Sequence, residues 1–228
     1  MILDFDGSLS EIVDRPELAR SAPGVAEALA RLVRRYRVVA ILTGRSADEI
    51  PRLLDVPGVS ILGLYGLEGS APELAGIVLP EVERAAAGVP GSRVEDKAIS
   101  VAVHYRQAED PVTARAALIS ALQPIATENG LDLVEGKMVV ELVPLDRPLK
   151  GGAVERLVGQ HELEAALYAG DDVADLDAFD ALGRLRERGL RVLRVAVRGP
   201  ETPATLIDAA DLVVDGPSGL VELLGSLA

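Results

Sequence analysis

Six short apolar runs, residues 1–5, 38–43, 59–64, 167–170, 192–197 and 212–214, limit the folds open to this chain. Each is continuous rather than alternating, which is the pattern of a strand covered on both faces. Helical patterns lie between several of them. Val25, Leu29, Leu32, Val33 and Tyr36 recur at helical spacing, as do Val154, Leu157 and Val158. Alternating strands and helices imply right-handed crossovers and a parallel sheet with helices on both faces. The expected fold class is α/β. Ser46 followed by Glu49 reads as a capping-box helix start, although Pro51 fits a regular helix poorly.

The middle of the chain, residues 79–148, follows another pattern. Ile99, Val101, Val103 and Tyr105 alternate with Ser100, Ala102, His104 and Arg106, as in a half-buried strand. Asp110-Pro111 opens a helix carrying Val112, Ile119, Leu122 and Ile125. Residues 131–135 and 138–143 then read as a hairpin turning at Gly136-Lys137. Strand, helix and hairpin make a small α+β unit inserted between two halves of a parallel-sheet domain.

Composition excludes several functions. The chain has 228 residues, 36 acidic against 23 basic, for a net charge of −13. It therefore lacks the basic face that nucleic acid requires. With no cysteine it has no disulfide framework and no thiolate site. No apolar stretch reaches the roughly 18 residues of a membrane span. A catalytic-looking segment begins at Asp4, which leaves no room for a signal peptide, so the expected location is cytoplasmic. Only three basic residues are lysine: Lys97, Lys137 and Lys150.

Candidate chemistry sits where the apolar runs end, which is where open parallel sheets bind ligands. Asp4-Phe5-Asp6-Gly7-Ser8-Leu9 closes the first run. Strand alternation puts Asp4 and Asp6 on one side. Two such carboxylates repel unless a cation lies between them or one holds a proton; a polar loop with two unrelated acids is the plainer alternative. The second run ends in Thr43-Gly44-Arg45, a hydroxyl and free N–H groups suited to a phosphoryl oxygen. Lys150-Gly151-Gly152 starts a helix with a point charge. The fourth run ends in Gly170-Asp171-Asp172, with Asp175 and Asp177 following, and clustered carboxylates on a turn suit a hard cation such as Mg²⁺. Each signal alone is weak, but four in this order at strand ends and helix starts reinforce one another.

This order resembles the haloacid dehalogenase superfamily, and within it the trehalose-6-phosphate phosphatases. Asp4-Phe5-Asp6-Gly7-Ser8-Leu9 is similar to the family's D-x-D-G-[TS]-L. Residues 170–179 resemble its G-D-D-x-T-D-E-D-A-F, with Ala174 and Leu176 replacing Thr and Glu. Val94-Glu95-Asp96-Lys97, running on to His104-Tyr105-Arg106, resembles its cap entry. Glu135-Gly136-Lys137 with Glu141 resembles its sugar-reading hairpin. Leu64-Tyr65-Gly66 stands where many relatives have Asn-His-Gly, which leaves the sugar preference open.

The resemblance implies a haloacid dehalogenase-like Rossmannoid core over 1–78 and 149–228 with a C2-type α+β cap over 79–148. It implies Mg²⁺-dependent hydrolysis of trehalose 6-phosphate; the expected form is a monomer, and composition argues against nucleic acid and membrane as partners. Asp4 would be the nucleophile and Asp6 the acid, then base, with Thr43 and Lys150 completing the catalytic set. Asp4, the Asp6 carbonyl and Asp171 would hold the metal, supported by Asp172 and Asp175. Thr43, Gly44 and Lys150 would bind phosphate, and Arg45, His104, Arg106, Glu135, Lys137 and Glu141 the rest of the substrate. On spacing alone, Glu135, Lys137 and Glu141 read equally well as surface ion pairs. The rival readings are a phosphatase for another sugar phosphate, a sugar-phosphate binder that does not hydrolyse, and a signal receiver module. A receiver has half this length and carries adjacent acids on its first strand.

Overall fold

A computed structural model describes residues 1–13, 15–66, 75–97, 100–145 and 150–228. The chain opens with β1 (Ile2–Leu3), α1 (Val25–Leu32), β2 (Ala40–Leu42), α2 (Ile50–Leu53) and β3 (Ser60–Leu62). It continues through α3 (Ala75–Ala87), β4 (Arg93–Asp96), β5 (Val101–His104), α4 (Pro111–Glu128), β6 (Leu131–Gly136) and β7 (Val139–Pro144). It closes with α5 (Lys150–Gln160), β8 (Ala165–Gly170), α6 (Val173–Glu187), β9 (Arg191–Arg198), α7 (Ala204–Ala209), β10 (Leu212–Asp215) and α8 (Gly216–Leu227). Two compact units result, Met1–Glu68 with Pro148–Ala228, and Gly69–Arg147. The sequence boundary at residue 79 falls inside α3.

The first unit is a six-stranded sheet ordered β10-β9-β8-β1-β2-β3 and parallel throughout. Strand alternation divides its apolar side chains between two layers. Leu3, Phe5 and Ile41 pack with Val25, Leu29 and Leu32 of α1 and Leu220 and Leu224 of α8. Ile2, Ala40, Leu42 and Tyr168 pack with Val154 and Leu157 of α5 and Phe179 and Leu182 of α6. Successive strands run outward from β1 to β3, and the chain then returns to β8 on the other side of β1. The crevice for a ligand therefore lies at the carboxyl ends of β1 and β8. All six expected strands form. The helix expected after Ser46 is only four residues long, with Pro51 in its first turn. Glu49 instead accepts from the Ser46 hydroxyl at 2.8 Å and tightens a turn.

The second unit is an antiparallel sheet ordered β4-β5-β7-β6 with α3 and α4 on one face. Val101, Val103 and Tyr105 face Leu118 and Leu122 as the alternation predicts. Ile99 lies outside the described residues. Asp110 caps α4, accepting from Val112 N at 3.0 Å and Thr113 N at 3.2 Å. That helix buries Ala114, Leu118, Leu122 and Ala126, whereas Val112 is 79% exposed. The hairpin turns one residue later than expected, at Lys137-Met138, because Gly136 still pairs with Val139 and Met138 takes φ +59°.

Candidate active site

The end of β1 delivers Asp4 into the interior. Its N–H bonds Ala169 O of β8 at 2.9 Å, so the nucleophile candidate is fixed by the strand on its far side. Lys150, at the start of α5, donates to Asp4 Oδ1 at 2.7 Å and to Asp175 Oδ1 at 2.6 Å. All three residues are buried. Burial works against the Lys150 ammonium, but Asp175 and Asp4 outweigh it and hold its pKa well above the usual lysine value. Burial also pushes the Asp4 carboxyl up. Lys150 opposes this, while Asp175 and Asp171 add to it.

Asp175 accepts four hydrogen bonds. Its Oδ1 accepts from Lys150 and from the Tyr168 hydroxyl, the latter at 2.6 Å. Its Oδ2 accepts from the N–H groups of Asp171 and Asp172, both at 2.8 Å. Asp172 caps α6 and forms a capping box with Asp175, so the cap that starts the helix also shapes the acidic turn. Four bonds fill the acceptor capacity of the Asp175 carboxylate. Asp171 is buried and accepts from the Ser8 hydroxyl at 3.2 Å. Gly7 has φ +86°, and a β-carbon there would overlap the Asp171 carboxylate, so glycine is required twice over.

Carboxylate oxygens of Asp4, Asp171 and Asp175 lie within 4.8 Å of one another. Three carboxylates against the single Lys150 ammonium leave a formal charge of −2, which matches a divalent cation. Hard oxygen donors suit Mg²⁺ or Ca²⁺. With Asp175 committed to four donors, Asp4 and Asp171 are the carboxylates better placed to turn toward a metal.

Asp6 points elsewhere. Arg45 Nε and Nη2 grip its two oxygens at 2.7 Å each, and the guanidinium lies 5.8 Å from the centre of the Phe5 ring. Arg45 N–H donates to Thr43 Oγ1 at 3.1 Å, leaving the hydroxyl proton for another acceptor. The ends of β1, β2 and β8 and the starts of α5 and α6 thus gather Asp4, Asp6, Thr43, Gly44, Arg45, Lys150, Asp171, Asp172 and Asp175. Sequence reasoning missed Tyr168; the available signal was a phenol in an apolar strand directly before Gly170-Asp171-Asp172.

In the second unit, the sheet face away from the helices carries another polar cluster. Glu141 is buried, accepting from the Ser100 hydroxyl at 2.5 Å and from Lys97 at 3.5 Å. His104 Nε2 lies 2.5 Å from Glu95. Arg106 donates to Lys137 O at 3.4 Å. Glu135 does not join this face. Its register places it on the helix side, where Arg115 of α4 grips both its oxygens.

Comparison with known proteins places the chain in a family. The family model described as trehalose-phosphatase matches residues 2–208. The chain belongs to the trehalose-phosphatase family. A trehalose-phosphate phosphatase of Mycobacterium marinum is 35% identical across 100% of this chain and 61% of that protein. One from Mycobacterium leprae is 34% identical, covering 100% of this chain and 57% of its own length. The chain thus spans about 60% of the length of these curated relatives. The C-terminal domain of Candida albicans trehalose-6-phosphate phosphatase superposes with a TM-score of 0.83 at 23% identity, over 99% of this chain and 90% of that one. A haloacid dehalogenase-like hydrolase from Bacteroides thetaiotaomicron gives 0.68 at 16% identity, over 100% and 98%. At such identities the structures speak for the fold, and they bear out the α/β haloacid dehalogenase-like core with an added α+β unit. No helix among the described residues is long and apolar enough to cross a membrane.

Proposed function

We propose that this chain hydrolyses trehalose 6-phosphate to trehalose and phosphate, with Mg²⁺, through an aspartyl-phosphate on Asp4. The observation that carries the reading is Asp4 held at the β1–β8 crevice by Lys150, with Asp171 beside it. Asp4 attacks phosphorus in line; a bond forms from its carboxylate oxygen and the bond to the sugar oxygen breaks. Asp6 gives that oxygen its proton, then takes one from the water that attacks phosphorus and frees Asp4. The Thr43 hydroxyl and the Lys150 ammonium hold phosphoryl oxygens, because this chemistry needs positioning and charge stabilisation above all. Asp4, the Asp6 carbonyl and Asp171 would hold Mg²⁺, with Asp172 and Asp175 orienting them. The cation supplies positive charge that offsets the phosphoryl group.

Under this reading the first unit is the catalytic body and the second a cap. Glu141, Lys97, His104 and Arg106 on its open face would read sugar hydroxyls, while Glu135 is engaged by Arg115. The expected setting is a monomer in the cytoplasm. A second reading, another sugar phosphate as substrate, is favoured by Tyr65 in the Leu64-Tyr65-Gly66 segment.

Phosphate release from a panel of disaccharide and monosaccharide phosphates, with and without Mg²⁺, decides between them. Trehalose 6-phosphate should be turned over fastest, and Asp4→Asn should abolish release while the fold persists. Equal rates on glucose 6-phosphate would sink the leading reading, and near-normal activity in Asp4→Asn would sink the nucleophile.

A further inference from the structure

Leu64 and Tyr65 adopt left-handed backbone, φ +50° and +58°, and Gly66 follows at +82°. Non-glycine residues adopt that conformation uncommonly. Such strain persists only where the surroundings over-determine it. Here they do: Leu64 N–H bonds Arg45 O at 2.8 Å and Tyr65 N–H bonds Thr43 O at 2.9 Å. Arg156, on the same helix as Lys150, donates to Gly66 O at 3.1 Å. The strained turn is thereby bolted to the Thr43-Gly44-Arg45 loop.

The result is the placement of one side chain. The Tyr65 ring centre lies 5.9 Å from Lys150 Nζ. Its hydroxyl lies over Gly44, where a β-carbon would come within 2.7 Å of the phenolic oxygen and 2.9 Å of the ring. Gly44 is therefore needed for close approach, and what approaches is a phenol. Lys150 Nζ thus lies near the Tyr65 ring, and the Tyr65 hydroxyl lies against Gly44, the residue after Thr43. Tyr65 is only half-buried.

We propose that Tyr65 is a phosphoryl-binding residue, its hydroxyl donating to a phosphoryl oxygen held between Thr43 and Lys150. This deepens the phosphatase reading and rests on it. A phenol at this point recognises the group common to every phosphate monoester, not the sugar. Selection among sugars then falls to other residues, and on this proposal the Leu64-Tyr65-Gly66 departure acts on phosphate affinity and no longer favours the second reading, another sugar phosphate.

The test is Tyr65→Phe, which keeps the ring, its contact with Lys150 and the turn. Turnover of trehalose 6-phosphate and of p-nitrophenyl phosphate is compared with inhibition and calorimetric binding by inorganic phosphate, all with Mg²⁺ present. A lost hydrogen bond to a charged group predicts a drop in kcat/KM of about 10- to 100-fold. The drop should be similar on both substrates, with weaker phosphate binding. Normal kcat/KM and phosphate binding in Tyr65→Phe would overturn the proposal and leave the phosphatase reading standing. A loss confined to trehalose 6-phosphate would overturn it in favour of a sugar contact. If the unaltered protein hydrolyses neither ester, hydrolysis fails, and phosphate binding with and without the hydroxyl still decides Tyr65.

Discussion

Arg45 grips Asp6 by both carboxylate oxygens, Nε and Nη2 each at 2.7 Å. The Arg45 side chain is 10% exposed and that of Asp6 39%. This fork joins the residue after β1 that would serve as acid to the loop after β2 that would bind phosphate. In a double-mutant cycle of Arg45→Met and Asp6→Asn, urea unfolding should give a coupling of about 1 kcal/mol, the scale of a partly exposed pair. Strictly additive losses would show that the fork contributes nothing. Arg45→Lys keeps the charge without the fork and should recover less than half of the coupling.

Asp175 accepts four hydrogen bonds, and its loss should register as folding energy. Asp175→Asn turns an amide N–H₂ toward at least one donor and leaves Lys150 with one carboxylate. Breaking a buried pair in this way costs about 3–5 kcal/mol, measurable by urea unfolding, and phosphate release should fall with it. Tyr168→Phe removes only the hydroxyl that bonds Asp175 at 2.6 Å and should cost about 1–2 kcal/mol. Equal losses from the two substitutions would mean that Asp175 acts through Tyr168 alone.

The −2 charge of the Asp4, Asp171, Asp175 and Lys150 cluster predicts a direct response to cations. Chelation should abolish phosphate release, and added Mg²⁺ should restore it. Mg²⁺ should also raise the melting temperature of the resting protein, because a ligand that binds only the folded state stabilises it. Asp171→Asn should weaken Mg²⁺ binding by at least about tenfold in calorimetry. Unaltered affinity in that variant would remove Asp171 from the metal set.

Glu95 and His104 predict a pH effect in the second unit. Burial raises the Glu95 pKa, but the hydrogen bond with His104 and the charges of Lys97, His104 and Arg93 prevail and lower it from 4.5 to about 2. The folded value lies below the unfolded one. The stabilisation is therefore fully present above about pH 4.5 and drains as pH falls toward about 2. Glu95→Gln should cost on the order of 3 kcal/mol near neutrality. The gap from the unaltered protein should narrow as denaturant unfolding is repeated at lower pH. A gap that stays constant would assign the loss to packing.

What could be read from the sequence was what a local signal carries. Buried parallel strands are continuous apolar runs, and the acids at their ends stand out against them. β4 escaped notice because Arg93, Glu95 and Asp96 make a charged strand with no apolar run, although it pairs with its sequence neighbour β5. The boundary set at residue 79 by the change of pattern falls inside α3, which runs through Pro80. The hairpin slipped by one residue because Gly136 is the natural turn former and Met138 instead took positive φ. Glu135 and Glu141 were grouped by their resemblance to a sugar-reading hairpin, yet the pairing of Glu135 with Val140 and of Glu141 with Val134 leaves them on opposite faces. The Arg45–Asp6 fork and the Tyr65 placement depend on β1, β2 and β3 lying side by side, which no single segment specifies.

The place of β1 between β2 and β8 also sets an order of events as the chain is made. One edge of β1 is satisfied when Ala40 arrives opposite Ile2, but the other waits for Tyr168. Ser8 and Asp171 meet across 163 positions, and Asp4 and Lys150 across 146. At roughly 5–20 residues per second, synthesis leaves that edge open for about 6–26 seconds. An open strand edge invites pairing with other chains. The nascent polypeptide is thus most vulnerable to misassembly before the ribosome has finished β8, and the same strand that ends the vulnerability completes the acidic centre.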